Sequence, residues 1–429
     1  MSETMDPRAK ATEALLASGA ADAGRGGLGA LKEAAAARFR SMGAPMARDE
    51  YWRYLGPAFN QPKEGAEPAD AASATAPSPF AAAEPLVAAF LNGRFAPEHS
   101  SDLAAEGVEI APLGAGAAPG WAAEALGALE AEGQSPAPRP LAALNGALAT
   151  DGIALRATGA VARPIEIRHL GETGGAVHLR HVIALAPGAS MTVLESGVGA
   201  AGFSSVMEAE IGAGASLSHV RLQTDPRFQR AATHLFARLG AESQFKSFTL
   251  SGATAGEVAR NEAMLWLEGD DASAHLAGAV LAREDGKIDN TVFVTHGALR
   301  GESRQVFKNV LNDTAQGVFQ GKILVREGAQ QTDGYQISQS VLLSERAAFN
   351  AKPELEIYAD DVKCSHGSTT GALDEAALFY LRSRGVAPSI ARRLLIEAFL
   401  AEAVEEIADA ALADIAREES RKLVAALVA

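Results

Sequence analysis

The stretch "VHLRHVIALAPGASMTVLES", residues 177–196, decides how the middle of this 429-residue chain is read. Apolar and polar residues exchange at period two through "VHLRHVIAL", the mark of a strand with one buried face. "PGAS" at 187–190 then punctuates a turn, and "SMTVLES" resumes the alternation. The same texture extends in both directions, through "GIALRA" and "PIEIRHL" upstream and "ASLSHVRL", "TVFVTHG" and "KILVRE" downstream. Turn signals recur as "AGAS" at 213–216, "DDAS" at 270–273 and "EGAQ" at 327–330. No helix-length periodic segment interrupts roughly 200 residues, which excludes a doubly wound or barrel α/β fold. Loosely repeated strand-turn units point to a β-solenoid, each rung burying its inner face on its neighbours. Periodicity alone leaves a β-sandwich open as the competitor.

The flanks read differently. Residues 1–60 form an N-terminal helical region: "LKEAAAARFRSMGAP" is alanine-rich and stops at Gly43 and Pro45, and "EYWRYLGPAF" clusters aromatics as if to dock on a larger body. Residues 61–85, rich in Ala, Pro, Ser and Glu, read as a low-complexity linker. Residues 86–140 form a mixed connecting region in which "FLNGRF" suggests strand-turn-strand, and 141–370 are the β core. Residues 371–429 are helical again, with Gly385 as a C-cap and Pro388 opening the next helix. Ile396, Leu400, Val404, Ile407, Ala411 and Ile415 lie three or four apart, as one apolar stripe beside an acidic face. Removing such an appendix from Asp374 onward is expected to leave the β core folded.

Composition excludes several functions. A net charge of -15 argues against a nucleic-acid surface. One cysteine rules out an internal disulfide framework and fits a reducing cytosol. The N-terminus lacks a secretory apolar core, and no uninterrupted apolar run is long enough for a membrane span. The nearest approach to a phosphate loop, "GVFQGKI" at 317–323, has three residues between its glycines where four are needed. Ile323 also follows the lysine in place of Ser or Thr, so this chain is expected to bind no nucleotide itself. There is no H-E-x-x-H, C-x-x-C or G-x-S-x-G. His169, His178, His181, His219, His234, His275 and His296 scatter through the β region without ligand spacing and read as structural or surface residues.

Cys364 and His366 remain, in "VKCSHGSTTG". Residues two apart on a strand share a face, so thiolate and imidazole are placed to meet one ion. An imidazolium there would also lower the thiol pKa. Two ligands do not close a four-coordinate site, and the chain has no second cysteine. A small buried hydrophobe is the competing reading of Cys364, and Val362, of the same parity, favours an interior face.

The segment "AKPELEIYADDVKCSHGSTTGALDEAALFYLRSRG", 351–385, resembles the SufB/SufD family of scaffold subunits of the SUF iron-sulfur cluster assembly machinery. "FQGKILV" (319–325), "FLNGRF" (90–95) and "RDEYWRY" (48–54) match in the same order. "CSHGSTT" is similar to the SufD branch, whereas the SufB branch typically reads E-H-E-A-T-T there and carries further cysteines. The 61–85 region matches nothing diagnostic, and Leu55 stands where the family often has threonine. The resemblance implies a right-handed parallel β-helix with helical N- and C-terminal regions. It implies a non-catalytic scaffold that pairs with a SufB-type paralogue and two copies of a SufC-type ABC ATPase, the latter docking on the C-terminal helices. His366, with Cys364 nearby, would then help a partner cysteine hold iron and sulfur of a nascent cluster at the shared interface. A homodimer, a SufB-type identity, a solenoid enzyme acting on polysaccharide and a structural solenoid with a silent cysteine are the alternatives. The polysaccharide reading needs clustered carboxylates that these strand faces lack.

Overall fold

The computed structural model describes residues 6–18, 28–60, 77–114, 116, 118–171, 175–224 and 228–428. Two sheets face each other, and successive strands alternate between them, so each strand pairs in parallel with the strand two places on. The register advances by one rung at a time: Gly202 pairs with Arg230, Arg230 with Val258, Val258 with Lys287 and Lys287 with Gln316. This is the parallel β-solenoid expected from the alternating runs, with helices at both ends of the chain. One sheet has ten strands and the other nine among the described residues.

Parity decides what goes inside. Ile165, Ile167, Leu179, Ile183, Met191 and Val193 belong to one long interior cluster. Between rungs, Gly188, Gly214 and Asp271 take left-handed backbone at φ 74°, 65° and 61°, so "PGAS", "AGAS" and "DDAS" are corner turns.

Helices cover both outer faces, which is why most strands are buried on both sides. The helices Pro388–Val404 and Ala410–Leu427 lay Ile396, Leu400, Val404, Leu412 and Val424 on Val220, Leu222, Phe248 and Leu250 of the ten-stranded sheet. The apolar stripe read from 396 to 415 is therefore broken: the chain leaves the first helix at Val404 and enters the second at Ala410, and Ala411 is exposed. These helices are part of the core rather than an appendix.

On the nine-stranded sheet, the helices Pro7–Ala17, Gly29–Met42 and Pro140–Leu148 and the aromatic turn at Glu50–Trp52 do the covering. Trp52 is buried, with the Arg260 guanidinium 4.0 Å from its ring centre, and Tyr51 packs edge-on against Phe293 at 5.1 Å. Arg260 is buried between Glu262 and Asp289. The aromatic cluster thus docks on the solenoid's own flank.

The stretch expected as a linker lies outside the described residues up to 76. From 77 to 85 it is anchored: Phe80 is fully buried on the ten-stranded sheet, and Ser78 Oγ donates to the buried Glu166 carboxylate at 2.7 Å. The connecting region contributes strands of its own. Leu86–Leu91 turns back on Arg94–Phe95 and pairs in parallel with Ile165–Leu170. Among the described residues no helix is long and apolar enough to cross a membrane.

Candidate functional site

The two sheets end in Ala348–Ile357 and Lys363–Gly371, each paired on one side only. Burial drops sharply there. The strand Lys287–His296 is almost wholly buried, whereas Lys363–Gly371 has no fully buried residue. Among the described residues no further strand pairs with either terminal strand, and the solenoid is open at this end.

Cys364 and His366 both stand on the last strand, opposite Gly334 and Gln336. They share the interior-facing parity, about 6.5 Å apart along the strand. Cys364 is half-buried against a small apolar group that includes Ile323, Val325, Ala359 and Leu355. Gly334 makes room for the sulfur: a Cβ at that position would lie 3.3 Å from Sγ. Burial pushes the Cys364 thiol up from its ordinary value and the Asp333 charge adds to this, against a hydrogen bond from the Gly334 backbone. The lowering expected from a neighbouring imidazolium is not among the influences on the thiol, which are burial, the Gly334 backbone and Asp333. His366 is exposed and has no hydrogen-bond or ion-pair partner among the described residues. The strand thus presents two donors on one face, with no third donor grouped with them among the described residues.

Around this end, Ile357 and Tyr358 are exposed at 40% and 61%. The helix Glu375–Ser383 buries none of its residues and exposes Phe379 and Tyr380, with Ile390 and Leu394 on the next helix. The failed phosphate loop lies within the strand Gln316–Val325, so no helix N-terminus is there to receive a phosphate.

The remaining histidines separate by environment. His296 is bonded to Ser303 at 2.8 Å, and His275 lies 3.3 Å from Glu302 and 3.7 Å from Glu406. His234 is buried near Glu262 at 3.8 Å. The fold does what the spacing did not foretell by bringing His169, His181 and Glu195 together inside the solenoid, one donor atom of each within 4.8 Å of the others. Burial lowers His169 to about 4 and His181 to about 3, partly offset by the Glu195 charge, so both imidazoles are neutral at pH 7. The signal was in the parity. His169 continues the interior series Ile165, Ile167, and His181 sits between Leu179 and Ile183.

A family model described as SUF system FeS cluster assembly, SufBD core domain, matches residues 168–399, which takes in most of the solenoid and the open end. The chain belongs to the SufBD family of iron-sulfur cluster assembly proteins. It is similar to the iron-sulfur cluster assembly protein SufD of Escherichia coli, 33% identical over 262 residues, covering 58% of this chain and 61% of that protein. A SufBD family protein of Synechocystis is 36% identical over 211 residues, covering 48% of this chain and 45% of the relative. SufD of Bacillus subtilis is 33% identical over 141 residues, covering 33% and 32%. The chain therefore spans about three-fifths of the Escherichia coli protein and under half of the other two.

Proposed function

We propose that this chain is a SufD-type, non-catalytic scaffold that meets a SufB-type paralogue through its open solenoid end. There His366, aided by Cys364, holds iron or a nascent iron-sulfur cluster together with a cysteine of the partner. The observation that carries the reading is the pair of terminal strands, ten and nine residues long and each with one free edge, rimmed by exposed Ile357 and Tyr358 and by the exposed His366 imidazole. Long free edges recruit strands from another chain, and an incomplete donor set calls for donors from that same chain. The half-burial of Cys364 gives His366 the larger part. A SufC-type ATPase is assigned to the C-terminal helices, where Phe379, Tyr380, Ile390 and Leu394 are exposed. A cytosolic location, absence of nucleic-acid partners and the division at 60, 85, 140 and 370 belong to the same reading, and a homodimer through the open end is its competitor.

The test is co-expression with SufB-type and SufC-type chains. A stable complex is expected from the wild type, ATP turnover only when the ATPase chain is present, and loss of the SufB-type partner in Tyr358→Asp without a change in melting. Turnover by the isolated chain, or an intact complex in Tyr358→Asp together with Ile357→Asp, would overturn it.

A further inference from the structure

We infer that His169, His181 and Glu195 form a second metal site, inside the solenoid and separate from the open end, for a divalent first-row ion of which iron(II) is the best chemical match. Two imidazoles and one carboxylate with open positions are the donor set of non-haem iron(II) sites. The three residues come from three strands, Ile165–Leu170, Ala176–Leu185 and Ser190–Ser196, two in one sheet and one in the facing sheet, so the donors converge across the solenoid interior. Their relative exposures are 6%, 0% and 2%.

The polar atoms are left over in a way that a simply packed core would not leave them. Both ring nitrogens of His169 and both of His181 are buried without a hydrogen-bond partner, and so is Glu195 Oε1. The other carboxylate oxygen, Oε2, is engaged by Arg221 and stands 3.6 Å from His219 Nε2. Glu195 is thus oriented by one oxygen and free at the other. Each neutral imidazole has one lone pair to offer. Leaving buried donors and acceptors unmade is costly, so histidine here is a poor substitute for phenylalanine unless something binds it.

Phenylalanines do form the adjoining wall. Phe203 stands edge-on to His169 at 4.8 Å and Phe90 edge-on to His181 at 5.7 Å, closing that side to water. Donors around an ion with ~2.1 Å bonds lie about 3–4 Å apart, so small side-chain rotations convert the 4.8 Å grouping into a bound set. Arg221 adds positive charge beside the ion, which sets this site below a structural zinc centre in affinity.

The experiment uses the full chain carrying Cys364→Ser and His366→Ala, which removes the open-end donors and makes the result independent of the proposed scaffold role. The protein is stripped of metal, kept anaerobic and titrated with cobalt(II) as the probe. One equivalent is expected to bind, with visible ligand-field bands, a raised melting temperature and two hyperfine-shifted imidazole N–H proton signals. His169→Phe and His181→Phe, which match the neighbouring walls, are expected to weaken binding at least tenfold, and iron(II) to compete with cobalt. No bound equivalent, or binding without shifted imidazole signals, would overturn the site. The proton spectrum needs no interior substitution, so it decides the matter even where a variant fails to fold.

Discussion

Replacing His366 by alanine separates a binding imidazole from a structural one. The side chain is exposed and, among the described residues, without a hydrogen-bond or ion-pair partner, so its loss removes no buried hydrogen bond there. Surface substitutions of this kind stay within about 0.5 kcal/mol, which for a chain this long moves melting by no more than about 2 °C. Losing a metal donor acts on another scale. Even residues that only orient a ligand cost roughly 10–100-fold in metal affinity when removed, equivalent to about 1.4–2.8 kcal/mol, and a direct ligand costs at least as much. Cys364→Ser should show the reverse balance. Its sulfur packs in an apolar group beside Ile323, and placing a hydroxyl there costs about 1–3 kcal/mol. The assay pairs thermal melting of the isolated variants with iron-sulfur reconstitution in the complex with a SufB-type partner. His366→Ala should melt normally and form cluster poorly, and Cys364→Ser should melt lower with a milder loss of cluster. A lower melting temperature with normal cluster yield in His366→Ala would refute the reasoning.

Acid should unfold the protein steeply. His169, His234 and His296 are held near 4 and His181 near 3, chiefly by burial, against an ordinary value of 6.5. Below pH 6.5 the unfolded chain takes up protons that the folded chain refuses, so stability is full above 6.5 and falls through the window from 6.5 to about 4. Each such histidine contributes about 1.4 kcal/mol per pH unit there, and a melting temperature flat from pH 6.5 to 4.5 would contradict it. Deletion from Asp374 onward should destroy the solenoid, because Ile396, Leu400, Val404, Leu412, Val424 and Leu427 leave the core together. At about 1.5–3 kcal/mol each, their burial rivals the whole net stability of a domain. A soluble, monomeric truncation with full β-sheet circular dichroism would show otherwise.

The alternation that gives the solenoid away is clearest where one strand face meets only apolar neighbours, as at Ile165, Ile167 and their successors. It misleads where polar residues are buried on the other face. Arg260, Glu262 and Asp289 stand on the outer strand face, yet the N-terminal segment covers them, and Arg260 pairs with both carboxylates while Arg139 reaches Glu262. Phe80 was hidden for a related reason: one aromatic in a run of Ala, Pro and Ser has no periodicity to report, although a single buried phenylalanine anchors nine residues. The common face of Cys364 and His366 follows from their spacing. Their differing exposure does not, since it depends on the strand that fails to follow Lys363–Gly371. The interior grouping of His169, His181 and Glu195 is a product of rung stacking, which joins residues across the two sheets at separations no local motif encodes.

The two ends of the solenoid are unlike. At the far end the sheets finish in antiparallel strands of two and five residues, Arg94–Phe95 and Val108–Pro112, which offer little to pair with. Among the described residues, only the end bearing Cys364 and His366 keeps long free edges. In assembly terms the molecule has a valence of one along its axis. Two such rods meeting end to end consume each other's adhesive edges and terminate, whereas a rod open at both ends would propagate into a fibre. If the open end docks as proposed, the exposed backbone would be confined to a complex of fixed length.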